Sequence, residues 1–177
     1  IIDPPPQRII FCYGEYQDRF LDFPNVEFIK GYDPSIVSEE SLQGKRTLIF
    51  LDDVLEFVSN QELINLFSKY AHHRNLSICL LVQALFSKQY KGLREASLNT
   101  QYLIQLKNTR DKTSIRSLQI QLEPGNAKFF NEVFKEATRE PYSFLFVDCK
   151  PDTPDYLKYR NGLFPDQDIA VYVPKQG

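Results

Sequence analysis

The chain has 177 residues, of which 42% are hydrophobic and 25% are charged, and it carries a formal net charge of −2. This length fits a single domain over residues 1–177 with a sizeable core, and the composition is typical of a soluble globular protein. No apolar run approaches the roughly 18 residues of a membrane span, and the first ten residues lack the regions of a signal peptide. We therefore expect an intracellular protein that is neither membrane-bound nor secreted.

The numbers of cysteine and methionine residues add two expectations. Cys12, Cys79 and Cys149 are odd in number, and each lies within an apolar run. This pattern predicts buried free thiols in a reducing compartment rather than a disulfide framework or a zinc site. The chain contains no methionine, and we therefore expect it to be a piece of a longer protein that begins partway through that protein.

Seven short apolar runs predict β-strands, at residues 8–13, 26–29, 47–51, 77–82, 102–106, 144–147 and 169–173. Their hydrophobicity is nearly continuous, which is typical of strands that are covered on both faces. Between them, residues 59–71 open with a capping box of Ser59 and Glu62, and residues 126–140 repeat apolar residues at helical spacing. Strands that alternate with helices predict a layered α/β fold with a mainly parallel sheet.

Charge is distributed unevenly along the chain. Residues 88–116 contain seven basic and two acidic residues, a charge of +5, which leaves −7 for the rest because the total is −2. Such asymmetry predicts an anionic partner for this stretch, and the alternative is a solvated basic face. The basic residues are Lys88, Lys91, Arg94, Lys107, Arg110, Lys112 and Arg116.

Polar residues follow the predicted strands, and sites in open α/β sheets lie at the carboxyl ends of strands. The third strand runs into Asp52 and Asp53, and the fourth into Gln83. A hydrophobic strand followed by two acids is typical of a Walker B motif. There the first carboxylate helps to hold Mg²⁺ and the second polarises the attacking water. Gln83 on the neighbouring strand suits a sensor of the γ-phosphate.

Two other interpretations use the same residues. Adjacent carboxylates repel unless a cation or hydrogen bonds relieve them, which favours a metal site, but an acidic turn that caps a helix is the structural alternative. Receiver domains also use an acidic pair at one strand end and a lysine at another, a part that Lys107 could take. They require a phosphorylated aspartate at an intervening strand end, where this chain has Gln83.

Long segments of the chain resemble the genome-packaging ATPases of Polinton/Maverick elements and adintoviruses, which are related to the poxvirus packaging ATPase within the FtsK–HerA group of P-loop motors. The resembling segments are IDPPPQRIIFCYGEYQ, TLIFLDDV, HHRNLSICLLVQALF, REASLNTQYLIQLKNTRD, PYSFLFVDCKPDTPD and YVPK. They cover nearly the whole chain. The resemblance implies a P-loop NTPase fold of the RecA/FtsK type and an ATPase that uses ATP and Mg²⁺.

The resemblance also implies roles for individual residues. Asp52 would be the Mg²⁺-associated acid that helps to bind the nucleotide, and Asp53 the catalytic base. Gln83 would be the sensor that couples the γ-phosphate to movement. Arg94 is our first choice for a catalytic arginine that reaches a neighbouring subunit's nucleotide, and Arg110 is the second. An arginine supplied in this way is typically worth roughly 10³–10⁵ in rate, so activity would depend on ring assembly.

Further implications concern DNA and the ring. Lys88 and Lys91 lie in a segment that would line the pore of the ring, where they would contact DNA phosphates without reading sequence. The expected function is ATP-driven packaging of double-stranded DNA into a viral or transposon capsid by a homo-oligomeric ring, hexameric by analogy. Such a motor would work in the host nucleus or cytoplasm, or at a virion vertex.

Two alternative functions stay open. The first is a non-catalytic remnant of an integrated viral element, which binds nucleic acid or a partner without hydrolysis. The second is a related FtsK/HerA-type DNA translocase that has no role in packaging and shares all of the catalytic residues.

One motif of the family is absent from the sequence. P-loop motors carry GxxxxGK[ST], a loop whose backbone N–H groups cradle phosphate while its lysine pairs with the β- and γ-oxygens. The nearest string is GKRT at residues 44–47, which lacks the upstream glycine and runs into a predicted strand rather than a helix. We therefore expect the P-loop strand and helix to lie outside this chain, and the chain alone to bind ATP poorly and to be marginally stable.

Overall fold

The computed structural model describes residues 2–164 and 166–175. The chain divides into two compact units, which we name the N-terminal unit (residues 2–99) and the C-terminal unit (residues 100–177). Each unit combines helices with a β-sheet, so the predicted α/β class is confirmed. A single ATPase core domain over residues 1–177 stays a prediction.

The N-terminal unit is built on a four-stranded sheet in which all neighbouring strands are parallel, in the order β2-β1-β3-β4. Strand β3 therefore lies inside the sheet, between β1 and β4. Its last residue, Asp52, pairs in register with Tyr13 of β1 and with Leu81 of β4, so the carboxyl ends of three strands meet at one edge. The strands are β1 (Arg8–Tyr13), β2 (Glu27–Lys30), β3 (Thr47–Asp52) and β4 (Leu76–Leu81). The first four predicted strands are confirmed.

Short helices connect these strands. They are α1 (Glu39–Leu42), α2 (Asn60–Asn65), α3 (Ala71–His73) and α4 (Gly92–Leu98), and a π-helical turn, Leu66–Tyr70, joins α2 to α3. The predicted helix over residues 59–71 is thus confirmed. The Ser59 hydroxyl accepts a hydrogen bond from the Glu62 N–H at 3.1 Å, as a cap should. The Glu62 carboxylate instead accepts from the Tyr32 hydroxyl at 2.6 Å, so the reciprocal half of the predicted capping box is wrong.

Alternate residues of the two central strands bury one face of the parallel sheet. Ile10 and Ile49 are completely buried on this face and belong to one core with Leu63 and Leu93 from the helices. Burial of each such side chain stabilises the fold by about 1.5–3 kcal/mol. The opposite face carries Phe11 and Phe50, which stack with ring centroids 5.6 Å apart and are only half-buried. Within the described residues, the predicted coverage of both faces is therefore complete on the first face and partial on the second.

The C-terminal unit contains a separate, antiparallel sheet in the order β5-β6-β7. Its strands are β5 (Tyr102–Leu106), β6 (Phe144–Asp148) and β7 (Tyr159–Arg160), and helices α5 (Lys112–Leu122) and α6 (Ala127–Ala137) connect β5 to β6. A connection of two successive helices brings the chain back to the end at which β5 finished, so β6 runs antiparallel to β5. The single, mainly parallel sheet predicted from the sequence is wrong for these strands.

The last predicted strand, residues 169–173, is also wrong as a full strand. It forms one isolated bridge, between Val171 and Arg160 of β7. The Ala170 N–H donates to the Asn161 side-chain oxygen at 2.8 Å rather than to a ladder carbonyl, which ends the pairing. Helix α6 agrees with its pattern, because Phe130, Val133 and Ala137 are all buried.

Two smaller expectations concern membranes and thiols. No helix in the described part of the chain is both long and apolar enough to cross a membrane. Cys12, Cys79 and Cys149 are free thiols; Cys12 is buried and the other two are half-buried.

Candidate active site

The candidate site lies where β1 and β3 end side by side. The Gly14 N–H, one residue beyond β1, donates to the Asp52 carbonyl at 3.1 Å. Asp53 follows with φ of 57°, in the left-handed region, so the chain turns away sharply as β3 ends. Aspartate tolerates this conformation better than most residues. The turn places two successive carboxylates at the edge of the sheet, as the sequence predicted.

Gly14 allows this close approach of the two backbones. A Cβ atom at Gly14 would lie 2.6 Å from the Asp53 carbonyl oxygen and 3.2 Å from the Asp53 Cβ. Such a contact cannot be relieved by a side-chain rotation, because the first of these atoms is backbone. Gly14 therefore helps to fix the position of the acidic pair, and sequence reasoning did not identify it. The signal was a glycine directly after an apolar strand, in the string FCYGEY.

The electrostatics of the site favour a cation. Partial burial, and then the charge of Asp53, raise the pKa of Asp52 above its ordinary value, while Arg19 opposes the shift. Burial, and then the charge of Asp52, raise the pKa of the Cys79 thiol on the neighbouring strand β4. Arg19, from the 3₁₀ turn Asp18–Asp22, is a second residue that sequence reasoning missed.

The acidic pair has unused capacity for ligands. Within residues 2–164 and 166–175, neither the Asp52 nor the Asp53 carboxylate accepts a hydrogen bond or forms a salt bridge. The same residues contain no group of three or more His, Cys, Asp or Glu side chains that could hold a metal ion. Two carboxylates with waters and substrate phosphates are the usual ligands of Mg²⁺ at nucleotide sites, whereas a structural metal needs a larger protein set. Asp52 and Asp53 are therefore carboxylates of the type that can contribute to a Mg²⁺ site together with ligands from outside the described residues.

We expect Asp52→Asn to stabilise the fold at neutral pH. The raised pKa of Asp52 means that the folded state binds its proton more tightly than the unfolded chain does, so the contribution of Asp52 is favourable below about pH 4 and is lost as pH rises through the raised pKa. In magnesium-free buffer, the Tm of the variant should exceed that of the wild type by about 1–3 °C at pH 7.5. The difference should vanish at pH 3.5.

The control for this measurement is Glu56→Gln, which removes an exposed acid from the same stretch of chain. It should show no such pH-dependent difference in Tm. A variant with Asn at position 52 that is less stable than the wild type at neutral pH would contradict the assigned electrostatics.

Gln83 follows strand β4, which pairs directly with the strand that ends in Asp52. It follows β4 by two residues and is exposed, and β4 is the direct neighbour of β3. The irregular segment 82–91 that contains Gln83 is fixed at its far end, where the Gly92 N–H donates to the Asn60 side-chain oxygen at 2.8 Å. Placement at the same sheet edge as Asp52 agrees with the predicted sensor position, and its role stays a prediction.

The remaining predicted residues lie on the surface. Lys88 and Lys91 are exposed in segment 82–91, and Arg94 is exposed on α4. Arg110 belongs to the C-terminal unit, where it is exposed in the turn before α5. None of these four side chains forms a salt bridge with a described residue. Their assigned contacts with DNA or with a neighbouring nucleotide stay predictions.

Comparison of the chain with models of known protein families, with curated proteins and with solved structures gave no match.

Proposed function

We propose that this chain supplies the Walker B and sensor part of an ATP-driven motor that packages double-stranded DNA. The observation that carries the proposal is the pair of unengaged carboxylates, Asp52 and Asp53, at the carboxyl end of an interior strand of an all-parallel sheet. Parallel sheets bind ligands at this edge. Two adjacent like charges repel each other and destabilise the fold unless a cation or hydrogen bonds compensate for the repulsion.

The chemistry assigned to the site is phosphoryl transfer to water. Asp52 would hold Mg²⁺ through one oxygen or through a bound water, and the metal would neutralise charge on the β- and γ-phosphates. Asp53 would accept a hydrogen bond from the attacking water and orient it towards the γ-phosphate. Gln83, on the adjoining strand, would hydrogen-bond the γ-phosphate or the same water.

A phosphate-binding loop is needed in addition, and residues 1–177 contain no GxxxxGK[ST] string. The outer edge of the parallel sheet supports the proposal that such a loop is added beside β4. Among the described strands, β4 pairs only with β3, and its last residue, Leu81, is 42% exposed. A strand added parallel to β4 would pair its free backbone groups and would place the following loop at the edge that carries Asp52 and Gln83.

Titration with MgATP tests the proposal. We expect residues 1–177 alone to bind at least about 100-fold more weakly than a polypeptide in which a strand, a GxxxxGK[ST] loop and a helix precede residue 1. Two charge-assisted hydrogen bonds from the loop, at about 1.5 kcal/mol each, account for that factor. Isothermal titration calorimetry measures both affinities. Equally tight binding by the two polypeptides would contradict the proposed division of the site.

A further inference from the structure

A group of basic residues surrounds the start of helix α5 in the C-terminal unit. We name it the α5 basic surface; it consists of Lys107, Arg110, Lys112 and Arg116. All four residues are exposed. None forms a salt bridge with any residue of the described chain. The surface therefore presents four unpaired positive charges within ten residues.

The backbone beneath this surface is well defined by local hydrogen bonds. The Asn108 side-chain oxygen accepts from the N–H groups of Arg110 and Asp111, at 3.0 and 3.2 Å, which closes the turn between β5 and α5. The Asp111 carboxylate caps α5 by accepting from the Ser114 N–H at 2.9 Å and from the Ser114 hydroxyl. These bonds lower the pKa of Asp111. Asp111, the only acidic residue in residues 107–116, therefore accepts hydrogen bonds from the start of helix α5 and does not pair with a neighbouring basic residue.

Four other basic residues of the same unit do have acidic partners. Lys158 pairs with Glu123 at 3.1 Å, and Arg160 pairs with the buried Asp148 at 3.0 Å. Lys128 and Arg139 also face acidic partners on or next to α6. Lys135, Lys150 and Lys175 form no salt bridge with a described residue either, but they are well separated along the chain. The start of α5 is therefore where unpaired basic residues are densest in the sequence of a unit that is nearly balanced in charge.

We propose that the α5 basic surface binds the phosphate backbone of double-stranded DNA without reading its sequence. The choice of duplex DNA rests on the proposed function, which it deepens by assigning a second DNA contact besides Lys88 and Lys91. A duplex carries one negative charge per about 1.7 Å of its axis, so four unpaired cations on one surface release several counterions on binding. Residues 107–116 contain no aromatic residue on which the bases of a single strand could stack.

This assignment changes the role of Arg110. As a member of the α5 basic surface, Arg110 contacts a DNA phosphate and does not reach a neighbouring subunit's nucleotide. The Asn108 side-chain oxygen already accepts two backbone hydrogen bonds in the turn, so Asn108 is not free to make the bidentate contact by which asparagine reads adenine.

Fluorescence anisotropy with a labelled 20-base-pair duplex tests the proposal on the 177-residue chain, without nucleotide. We expect replacement of all four residues by Gln to weaken binding by at least 100-fold at 50 mM NaCl. The slope of log K against log [NaCl] is negative and should become less negative by about 3 to 4, since each lost phosphate contact accounts for about 0.9. Arg110→Gln alone should make it less negative by about 0.9.

The matched control removes four exposed lysines elsewhere, Lys45, Lys69, Lys128 and Lys135, by substitution with Gln. It should retain most of the affinity and the slope. Equal losses in the two variants would overturn the proposal, as would an unchanged slope in the α5 variant. Tighter binding of single-stranded DNA, or equal competition by poly-glutamate at the same charge concentration, would also overturn it, the latter in favour of an acidic protein partner. The measurement needs no ATP hydrolysis, so it can succeed or fail independently of the proposed motor.

Discussion

Gly14→Ala is expected to destabilise the N-terminal unit by about 2 kcal/mol, a decrease in Tm of about 4–8 °C for a chain of this size. The added methyl group would lie 2.6 Å from the Asp53 carbonyl oxygen, so the end of β1 and the end of β3 must separate. Separation also lengthens the 3.1 Å hydrogen bond from the Gly14 N–H to the Asp52 carbonyl. The variant should therefore be less stable and should hold its acidic pair in an altered position.

Thermal unfolding measures the loss of stability. Hydrogen exchange of the backbone amide at position 14, compared between wild type and variant, measures the weakening of its hydrogen bond to the Asp52 carbonyl. Gly125→Ala is the matched control, because a Cβ atom at Gly125 would have no neighbour within 4 Å. That variant should have the same stability as the wild type, or be more stable by up to about 1 kcal/mol through a less flexible unfolded chain. Equal Tm values for the two variants would show that the two strand ends do not touch as described.

The N-terminal unit was largely predictable from sequence because its signals are local. The apolar runs at 8–13, 47–51 and 77–82 have the length and continuity of parallel strands, and each became one. Ser59 capped the predicted helix. Because β3 and β4 are neighbouring parallel strands, Asp52 at the end of β3 and Gln83, which follows β4, lie at the same edge of the sheet, as predicted.

The C-terminal unit was predicted less well because helix α5 was not predicted from the sequence, and this helix changes the topology of the sheet. Residues 112–122 mix polar and apolar residues without a clear stripe, and their helix was not identified. With a single helix between β5 and β6 the strands would be parallel; with two they are antiparallel. The role of Gly14 was missed for another reason. A glycine directly after an apolar strand signals a close backbone approach, but it does not identify residue 53 as the neighbour, because that contact is tertiary.

Asp53→Asn is expected to have the larger functional effect. In the proposed mechanism Asp53 orients and deprotonates the attacking water, a role worth about 10²–10⁴ in rate. Asparagine accepts the left-handed backbone of position 53, where φ is 57°, so the substitution removes the charge without straining the turn. Affinity for MgATP should change little, because Asp52 and the phosphate-binding loop are untouched.

Steady-state ATP hydrolysis tests the central claim most directly, namely that the acids at the end of β3 act on a magnesium-bound triphosphate. The assay uses a polypeptide that carries residues 1–177 together with the GxxxxGK[ST] loop, assembled and saturated with MgATP. Asp53→Asn should lower the turnover rate by about 10²–10⁴, whereas the control Glu56→Gln should leave it unchanged. An undiminished rate in the Asp53 variant, or an equal loss in both variants, would contradict the account.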